Sequence, residues 1–106
     1  MKIVFKHDGF TLYAYNGLKE LGHLILDTSN DEHPCPASIY VEPEFRRNGV
    51  ATALYQEASR RLAGMGLKLY ASNFQHERVQ TVWKKMQTTM PDNVGCENGR
   101  IFLSFL

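Results

Sequence analysis

The sequence lacks several features that would each assign it to a particular class of protein. It has only two cysteines, Cys35 and Cys96, which are too few for the disulfide framework of a small secreted protein. No apolar run approaches the ~20 residues of a membrane-spanning helix, and the run at the N-terminus is too short for a signal peptide. We therefore expect a cytoplasmic protein whose thiols are reduced.

An excess of charge of one sign is also missing. The 12 lysines and arginines nearly balance the 11 acidic residues, whereas a domain dominated by nucleic-acid binding usually carries a large basic excess. The cysteines and the four histidines do not have the spacing of metal ligands, so we expect no metal site. Against these absences, 43% of the 106 residues are hydrophobic, which predicts one packed domain over residues 1–106.

Two turn signals divide the N-terminal part of the chain into strands. Asp8-Gly9 and Asn16-Gly17 are pairs in which glycine accepts the positive φ of a hairpin turn. The predicted antiparallel meander has strands over residues 2–6, 10–15 and 21–27. One face of the second strand is expected to hold Phe10, Leu12 and Ala14. The Leu-Ile-Leu run of the third strand indicates burial on both of its faces.

The remainder of the chain alternates between strands and helices. A polar loop over residues 27–36 leads to a fourth strand over 38–41, which Pro43 ends. Apolar residues at every fourth position predict a helix over 50–63, followed by Gly64. The later predicted elements are a strand over 67–71, a helix opened by a capping box at 72–75, a loop over 91–99 and a strand over 101–106. Strand, helix and strand in this order indicate a right-handed parallel crossover.

The stretch Arg46-Arg47-Asn48-Gly49-Val50-Ala51 joins the fourth strand to the first helix. Backbone N–H groups at a helix N-terminus have no partner within the helix, and the helix dipole adds partial positive charge there. Glycine also lets the backbone approach a ligand closely, so the stretch suits an anion. The spacing fits neither the dinucleotide-binding fingerprint nor the P-loop. The alternative is a plain helix N-terminus whose arginines face water.

This stretch resembles the pyrophosphate-binding motif of the GNAT acetyltransferases, Gln/Arg-x-x-Gly-x-Gly/Ala, with Arg46, Gly49 and Ala51 at its fixed positions. The resemblance covers about residues 10–106. It implies an α+β fold with a central mixed sheet, an antiparallel N-terminal meander and two helices. Members of the family normally carry two more helices after the first strand, which wall the acceptor site, and the hairpin at Asp8-Gly9 leaves no room for them. We therefore expect an acceptor site that is open or completed by a second subunit.

The resemblance further implies acetyl transfer from acetyl-coenzyme A to an amine, by direct attack in a ternary complex without a metal. The thioester would lie where the fourth and fifth strands splay apart. The implied coenzyme-binding residues are Tyr40, Val41, Arg46, Arg47, Asn48, Gly49, Val50, Ala51, Thr52 and Asn73. For Asn73, a helix-capping role fits the sequence equally well.

The sequence indicates the catalytic groups less clearly than the coenzyme-binding residues. Where the family often has a tyrosine as general acid, this sequence has Trp83, whose indole cannot act as an acid at neutral pH. Trp83 lies on an apolar stripe of the second helix and is expected in the core. Candidate bases are Glu42, beside the proposed thioester, and His76, and Cys35 is a candidate nucleophile. For the first two the alternative is a solvent-exposed side chain, and for Cys35 it is a rigid loop between prolines.

The acceptor is left open among a small amine, a protein N-terminus, a lysine and an aminoacyl-tRNA. We also expect a homodimer, because an exposed apolar edge at the final strand would favour pairing. Two alternatives belong to other classes: a GNAT-like module that binds coenzyme A or a protein partner without catalysis, and a nucleic-acid-binding α+β domain.

Overall fold

The N-terminal part of the chain forms an antiparallel meander in a computed structural model that describes residues 2–29, 32–72 and 77–106. Its four strands lie side by side in chain order: β1 (Val4–Asp8), β2 (Thr11–Asn16), β3 (Lys19–Asp27) and β4 (Cys35–Val41). Gly9 and Gly17 take positive φ angles of 57° and 63° at the two tight turns, as the turn signals predict. The meander is confirmed, but β1 begins and ends two residues later than predicted and β4 begins three residues earlier.

The described residues bury one face of this sheet. Leu12, Ala14 and Leu24 are at most 3% exposed, whereas Ile25 is 36% exposed. The prediction of burial on both faces of β3 is therefore wrong. Phe10, predicted beside Leu12 and Ala14, instead lies in the hairpin turn and is 63% exposed. A short apolar run cannot reveal how many faces of a strand are covered, because that depends on where the helices pack.

The C-terminal part carries both helices and a second sheet. Its elements are α1 (Val50–Ala63), β5 (Leu69–Tyr70), α2 (Glu77–Thr89), β6 (Val94–Glu97) and β7 (Arg100–Leu103). The bounds of α1 are those predicted. β6 lies in the segment predicted to be a loop, and it pairs with β7 through a turn at Asn98-Gly99. Its sequence, Val-Gly-Cys-Glu, carries little intrinsic preference for a strand, so its pairing with β7 decides its conformation.

The last strand is not at an edge of this second sheet. The order is β5-β7-β6, with both pairs antiparallel, so β7 is central. It also ends at Leu103, three residues earlier than predicted. The expectation of an exposed apolar edge at the C-terminal strand is therefore wrong.

The two sheets are joined by very little backbone pairing. The N–H of Tyr70 donates to the carbonyl of Pro34 at 2.9 Å, just before β4 begins. The next N–H, that of Ala71, donates to Ile101 on β7 instead, at 2.8 Å. No ladder between β4 and β5 forms within the described residues, so the end of β4 near Val41 keeps a free edge. The two strands thus part as expected, but the predicted parallel crossover is wrong, because the described strands form two separate antiparallel sheets.

Helix α1 holds the two sheets together. Its buried residues are Val50, Leu54, Tyr55, Ala58, Ser59 and Leu62. The hydroxyl of Ser59 donates to the carbonyl of Leu103 at 2.8 Å, which ties the helix to β7. Trp83 and Met86 of α2 join the same core, as the apolar stripe predicts. The capping box proposed at 72–75 falls largely outside the described residues. No helix among those described is long and apolar enough to span a membrane.

Candidate functional site

The turn between β4 and α1 is built from backbone conformations that few residues adopt. Arg47 has a φ angle of 68° and Gly49 one of 80°. A Cβ added to Gly49 would have no atom within 4 Å, so its backbone borders open space. Arg46 donates from Nε to the carbonyl of Val41 at 3.0 Å and braces the turn against the end of β4. The turn therefore presents exposed backbone next to a fixed strand end.

The N-terminus of α1 opens from this turn without a capping side chain. Gly49 occupies the cap position, and no acidic residue lies in the first turn of the helix. The first N–H groups of a helix lack intrahelical partners, and the helix dipole is positive at this end. Arg46 and Arg47 add two formal charges within four residues. This end of α1 is therefore suited to an anionic ligand.

A cavity of about 1070 Å³ lies beside the turn. Eight of the residues predicted to bind coenzyme A line it: Tyr40, Val41, Arg46, Arg47, Gly49, Val50, Ala51 and Thr52. Asn48 belongs to the same turn but does not line the cavity. Asn73 lies outside the residues that the structure describes. The strand end, the turn and the helix N-terminus thus share one cavity.

The lining of the cavity also includes residues that the sequence analysis did not select as binding residues. The additional lining residues are Ile39, Pro43, Phe45, Tyr55, Val79, Thr81, Val82 and Lys85. The sequence does indicate that three of the α2 residues share one helical face, because positions 79, 82 and 85 are three residues apart. Lys85 adds a third cationic side chain to the two arginines of the turn. The neighbouring Lys84 is exposed and does not line the cavity.

The candidate catalytic groups that the structure describes do not line this cavity. Glu42 does not line it, and its backbone N–H is held by the carbonyl of Leu21 at 2.9 Å. His76 lies outside the described residues. Cys35 is at the opposite end of β4, about 20 Å from Val41 at the usual rise of a strand. It lies in a strand rather than in the predicted loop.

The environment of Cys35 does not activate its thiol. Burial and the nearby Asp27 carboxylate raise the pKa of this thiol, and Arg100 offsets the effect only in part. A raised pKa keeps the sulfur protonated near neutral pH, whereas a nucleophilic cysteine must be a thiolate. The structure therefore gives Cys35 neither the position nor the ionisation of a nucleophile for this cavity.

Tyr55 lines the cavity, and the ring of Trp83 packs beside it in the core. Tyr55 is 0% exposed and Trp83 is 2% exposed, and their ring centroids are 5.5 Å apart. Neither the Tyr55 hydroxyl nor the Trp83 Nε1 has a hydrogen-bond partner within the described part of the chain. Burial raises the pKa of Tyr55 far above its usual value, so the phenol is neutral. Two buried donors therefore lie side by side, one of them on a residue that lines the cavity.

The uncovered face of the first sheet leads to the same cavity. Tyr13, His23 and Tyr40 lie directly opposite one another on β2, β3 and β4. Their ring centroids are 6.0 Å and 5.8 Å apart, and the Arg46 guanidinium lies 5.8 Å from the centre of the Tyr40 ring. This aromatic row, Tyr13–His23–Tyr40, reaches the cavity at Tyr40.

Three solved acetyltransferase structures share this fold. The ribosomal-protein-S18-alanine N-acetyltransferase from Escherichia coli is 17% identical, with a TM-score of 0.59, over 72% of this chain and 50% of its own. The IAA acetyltransferase from Bacillus cereus is 18% identical, with a TM-score of 0.63, over 88% of this chain and 75% of its own. An acetyltransferase from Bacillus subtilis, solved with coenzyme A, is 16% identical, with a TM-score of 0.64, over 91% and 76%.

This chain thus spans half the length of the Escherichia coli enzyme. A search of curated protein sequences gives no match. The profile of the acetyltransferase (GNAT) domain, however, matches residues 7–86. That span begins in β1 and includes the turn, α1 and the α2 residues that line the cavity. Since the match covers well over half of the sequence and the solved structures have the same fold, the chain belongs to the GNAT acetyltransferase family.

Proposed function

We propose that this chain is an N-acetyltransferase that moves an acetyl group from acetyl-coenzyme A to an amine, with residues 1–106 as a single domain. One observation carries the proposal: a strand end, a glycine turn and an uncapped helix N-terminus converge on a cavity of about 1070 Å³. Volumes of this size accommodate large ligands. A structural neighbour was solved with coenzyme A, which supports acetyl-coenzyme A as co-substrate.

The proposed binding mode uses backbone and charge together. The pyrophosphate would meet the N–H groups at the start of α1, in a cavity that Arg47 and Lys85 also line. The pantetheine arm would lie along the free edge of β4 near Tyr40, as an added strand does. Arg46 would add positive charge to this site. Its Nε also donates a hydrogen bond to the carbonyl of Val41.

The proposed chemistry depends mainly on positioning. A neutral amine attacks the thioester carbonyl, so a C–N bond forms, the C–S bond breaks and the leaving sulfur takes up the proton that the amine loses. The described residues that line the cavity include no carboxylate and no histidine. We therefore propose that no single acid or base is indispensable, since holding two reactants together can supply much of the acceleration.

The acceptor, the cellular compartment and the oligomeric state of the protein are also part of this proposal. The acceptor amine would enter beside Tyr40, and a small amine, a protein N-terminus, a lysine or an aminoacyl-tRNA each supply such a group. We place the protein in the cytoplasm, where Cys35 and Cys96, both free, stay reduced. We also propose a homodimer across the uncovered sheet face.

A second candidate function is coenzyme A binding without catalysis. Trp83 in place of the family's usual tyrosine, and the absence of a carboxylate from the described cavity lining, both favour this alternative. Release of free coenzyme A thiol in the presence of a panel of amines separates the two. Acetyl transfer supports the enzyme, whereas ligand binding with no thiol release for any amine supports the binding module.

The coenzyme site is tested by melting curves with and without acetyl-coenzyme A. A ligand at ~100 times its dissociation constant stabilises the folded state by about 2.7 kcal/mol, which for a domain of this size raises Tm on the order of 10 °C. Gly49→Asp should abolish this shift, because it puts a negative side chain where the pyrophosphate approaches. Arg46→Ala should only reduce it, because the backbone N–H groups stay in place.

Gly66→Asp is the matched control for Gly49→Asp. Gly66 also has a positive φ, 77°, and open space around its Cβ position, but it lies beyond the C-terminal end of α1. Both variants therefore put an aspartate at a position of positive φ and add the same charge. Gly66→Asp should keep the full ligand-induced shift. Equal shifts in the two folded variants, or no shift for the unmodified protein at millimolar ligand, would show that the site is assigned wrongly.

A further inference from the structure

Tyr55 carries a buried hydroxyl that nothing in the described chain satisfies. The residue is 0% exposed, lines the cavity and has no hydrogen-bond partner for its hydroxyl among the described residues. Most buried polar groups in proteins are hydrogen-bonded, so each exception needs a physical reason. Trp83 Nε1, in the neighbouring ring, is also a buried donor without a partner. Because Tyr55 lines the cavity and finds no acceptor among the described residues, a ligand bound there is a candidate source of the missing acceptor.

The position of Tyr55 along α1 indicates which part of a ligand it meets. It lies five residues after Val50, so the helical rise puts its Cα about 7.5 Å below the first residue of the helix. The groups suited to a pyrophosphate are at the helix N-terminus, and Arg47 there is exposed. Tyr55 is therefore farther inside, where the uncharged arm of the coenzyme would continue beyond its pyrophosphate. That arm contains two amide carbonyls, which are hydrogen-bond acceptors.

We propose that the Tyr55 hydroxyl donates a hydrogen bond to an amide carbonyl of the pantetheine arm and so positions the thioester. This inference rests on the proposed coenzyme site. Tyr55 is a positioning residue here and takes no part in bond making. Because burial keeps the phenol neutral, its proton is available as a donor across the physiological pH range. In the free protein the same hydroxyl lowers the stability of the fold, because it is buried without an acceptor among the described residues.

The experiment compares Tyr55→Phe with the unmodified protein for two ligands by calorimetry. The ligands are coenzyme A and its phosphoadenosine diphosphate fragment, which lacks the pantetheine arm. Tyr55→Phe should weaken coenzyme A binding about three- to tenfold, the effect of one hydrogen bond, and leave the affinity for the fragment unchanged. Without ligand, the Tm of this variant should be equal to or above that of the unmodified protein, because the unpaired hydroxyl is gone.

Tyr70→Phe is the control. The Tyr70 hydroxyl lies outside the cavity lining and donates to Glu97 Oε2 at 3.1 Å. Its removal should lower Tm and leave both affinities unchanged.

Three results would overturn the proposal: equal coenzyme A affinity in Tyr55→Phe and the unmodified protein, an equal loss for both ligands, or a Tm several degrees lower in ligand-free Tyr55→Phe. If the unmodified protein binds neither ligand, the coenzyme site itself is wrong. That outcome is distinct from a site that binds without help from Tyr55.

Discussion

At the residue scale, chemical type does not by itself define a role in this cavity. Cys35 and Glu42 have the side chains that a nucleophile and a base require, but neither lines the cavity. No sequence pattern marks Tyr55 as a functional residue. It follows Leu54 in a helix whose apolar positions recur every four residues, and it is not part of that pattern. Its burial without a hydrogen-bond partner among the described residues can be seen only in the folded chain. The position of a residue relative to the cavity is therefore a better guide to its role than the reactivity of its side chain.

The prediction at this scale concerns Cys35 and Glu42. Cys35→Ala and Glu42→Ala should each lower turnover by less than the ~100-fold that a strong general base contributes. Iodoacetamide should modify Cys35 more slowly than the exposed Cys96 at pH 7, because the pKa of Cys35 is raised and less of its thiolate is present. A loss of several thousandfold from either variant, with coenzyme binding intact, would identify that residue as catalytic.

At the scale of elements, the cavity exists because two helices from different parts of the chain face one strand end. β4 and the start of α1 supply one wall, and α2 supplies Val79, Val82 and Lys85. The free edge of β4 is available because β5 pairs with β7 instead. Packing of α2, rather than the glycine turn alone, thus closes the site.

The prediction at this scale uses two adjacent lysines of α2. Lys85→Ala should weaken coenzyme A binding roughly two- to fivefold, the range for an exposed ionic contact, and should reduce the dependence of binding on salt. Lys84→Ala removes the same charge from the neighbouring exposed position and should leave binding unchanged. Calorimetry at two salt concentrations measures both effects. Equal losses for the two variants would mean that only the overall charge matters and that α2 does not contact the ligand.

At the scale of the whole molecule, one face of the first sheet is left uncovered by the described chain. The aromatic row Tyr13–His23–Tyr40 lies on this face, and the nearby Val4 and Ile25 are 46% and 36% exposed. Large exposed apolar surfaces commonly mark interaction sites. The homodimer is therefore better motivated by this face than by the final strand, which is central in its sheet.

Light scattering tests the homodimer. The unmodified protein should have about twice the mass of the 12.1 kDa monomer, and Tyr13→Lys should return it to the monomer by placing a charge in the aromatic row. Leu18→Lys is the control, since Leu18 is a fully exposed apolar residue in a hairpin turn away from that row. A mass of 12.1 kDa at high concentration for the unmodified protein would refute the dimer.

The sequence by itself determined the features that depend on neighbouring residues. Positive-φ glycines at Gly9, Gly17 and Gly49, and the four-residue periodicity of α1, act over a few positions of the chain. The meander, the bounds of α1 and the turn that resembles the GNAT motif were therefore predictable. The resemblance of this turn to the GNAT motif implied eight residues that do line the cavity.

Only the tertiary structure decided what depends on contacts between distant parts of the chain. It brings Lys85 to the two arginines of the turn, leaves Cys35 at the far end of β4, and gives β6 a partner in β7. Each outcome follows from which surfaces pack together, and neither residue type nor local spacing carries that information. The cavity itself is bounded by the end of β4, the start of α1 and one face of α2, so it has no counterpart in any single stretch of sequence.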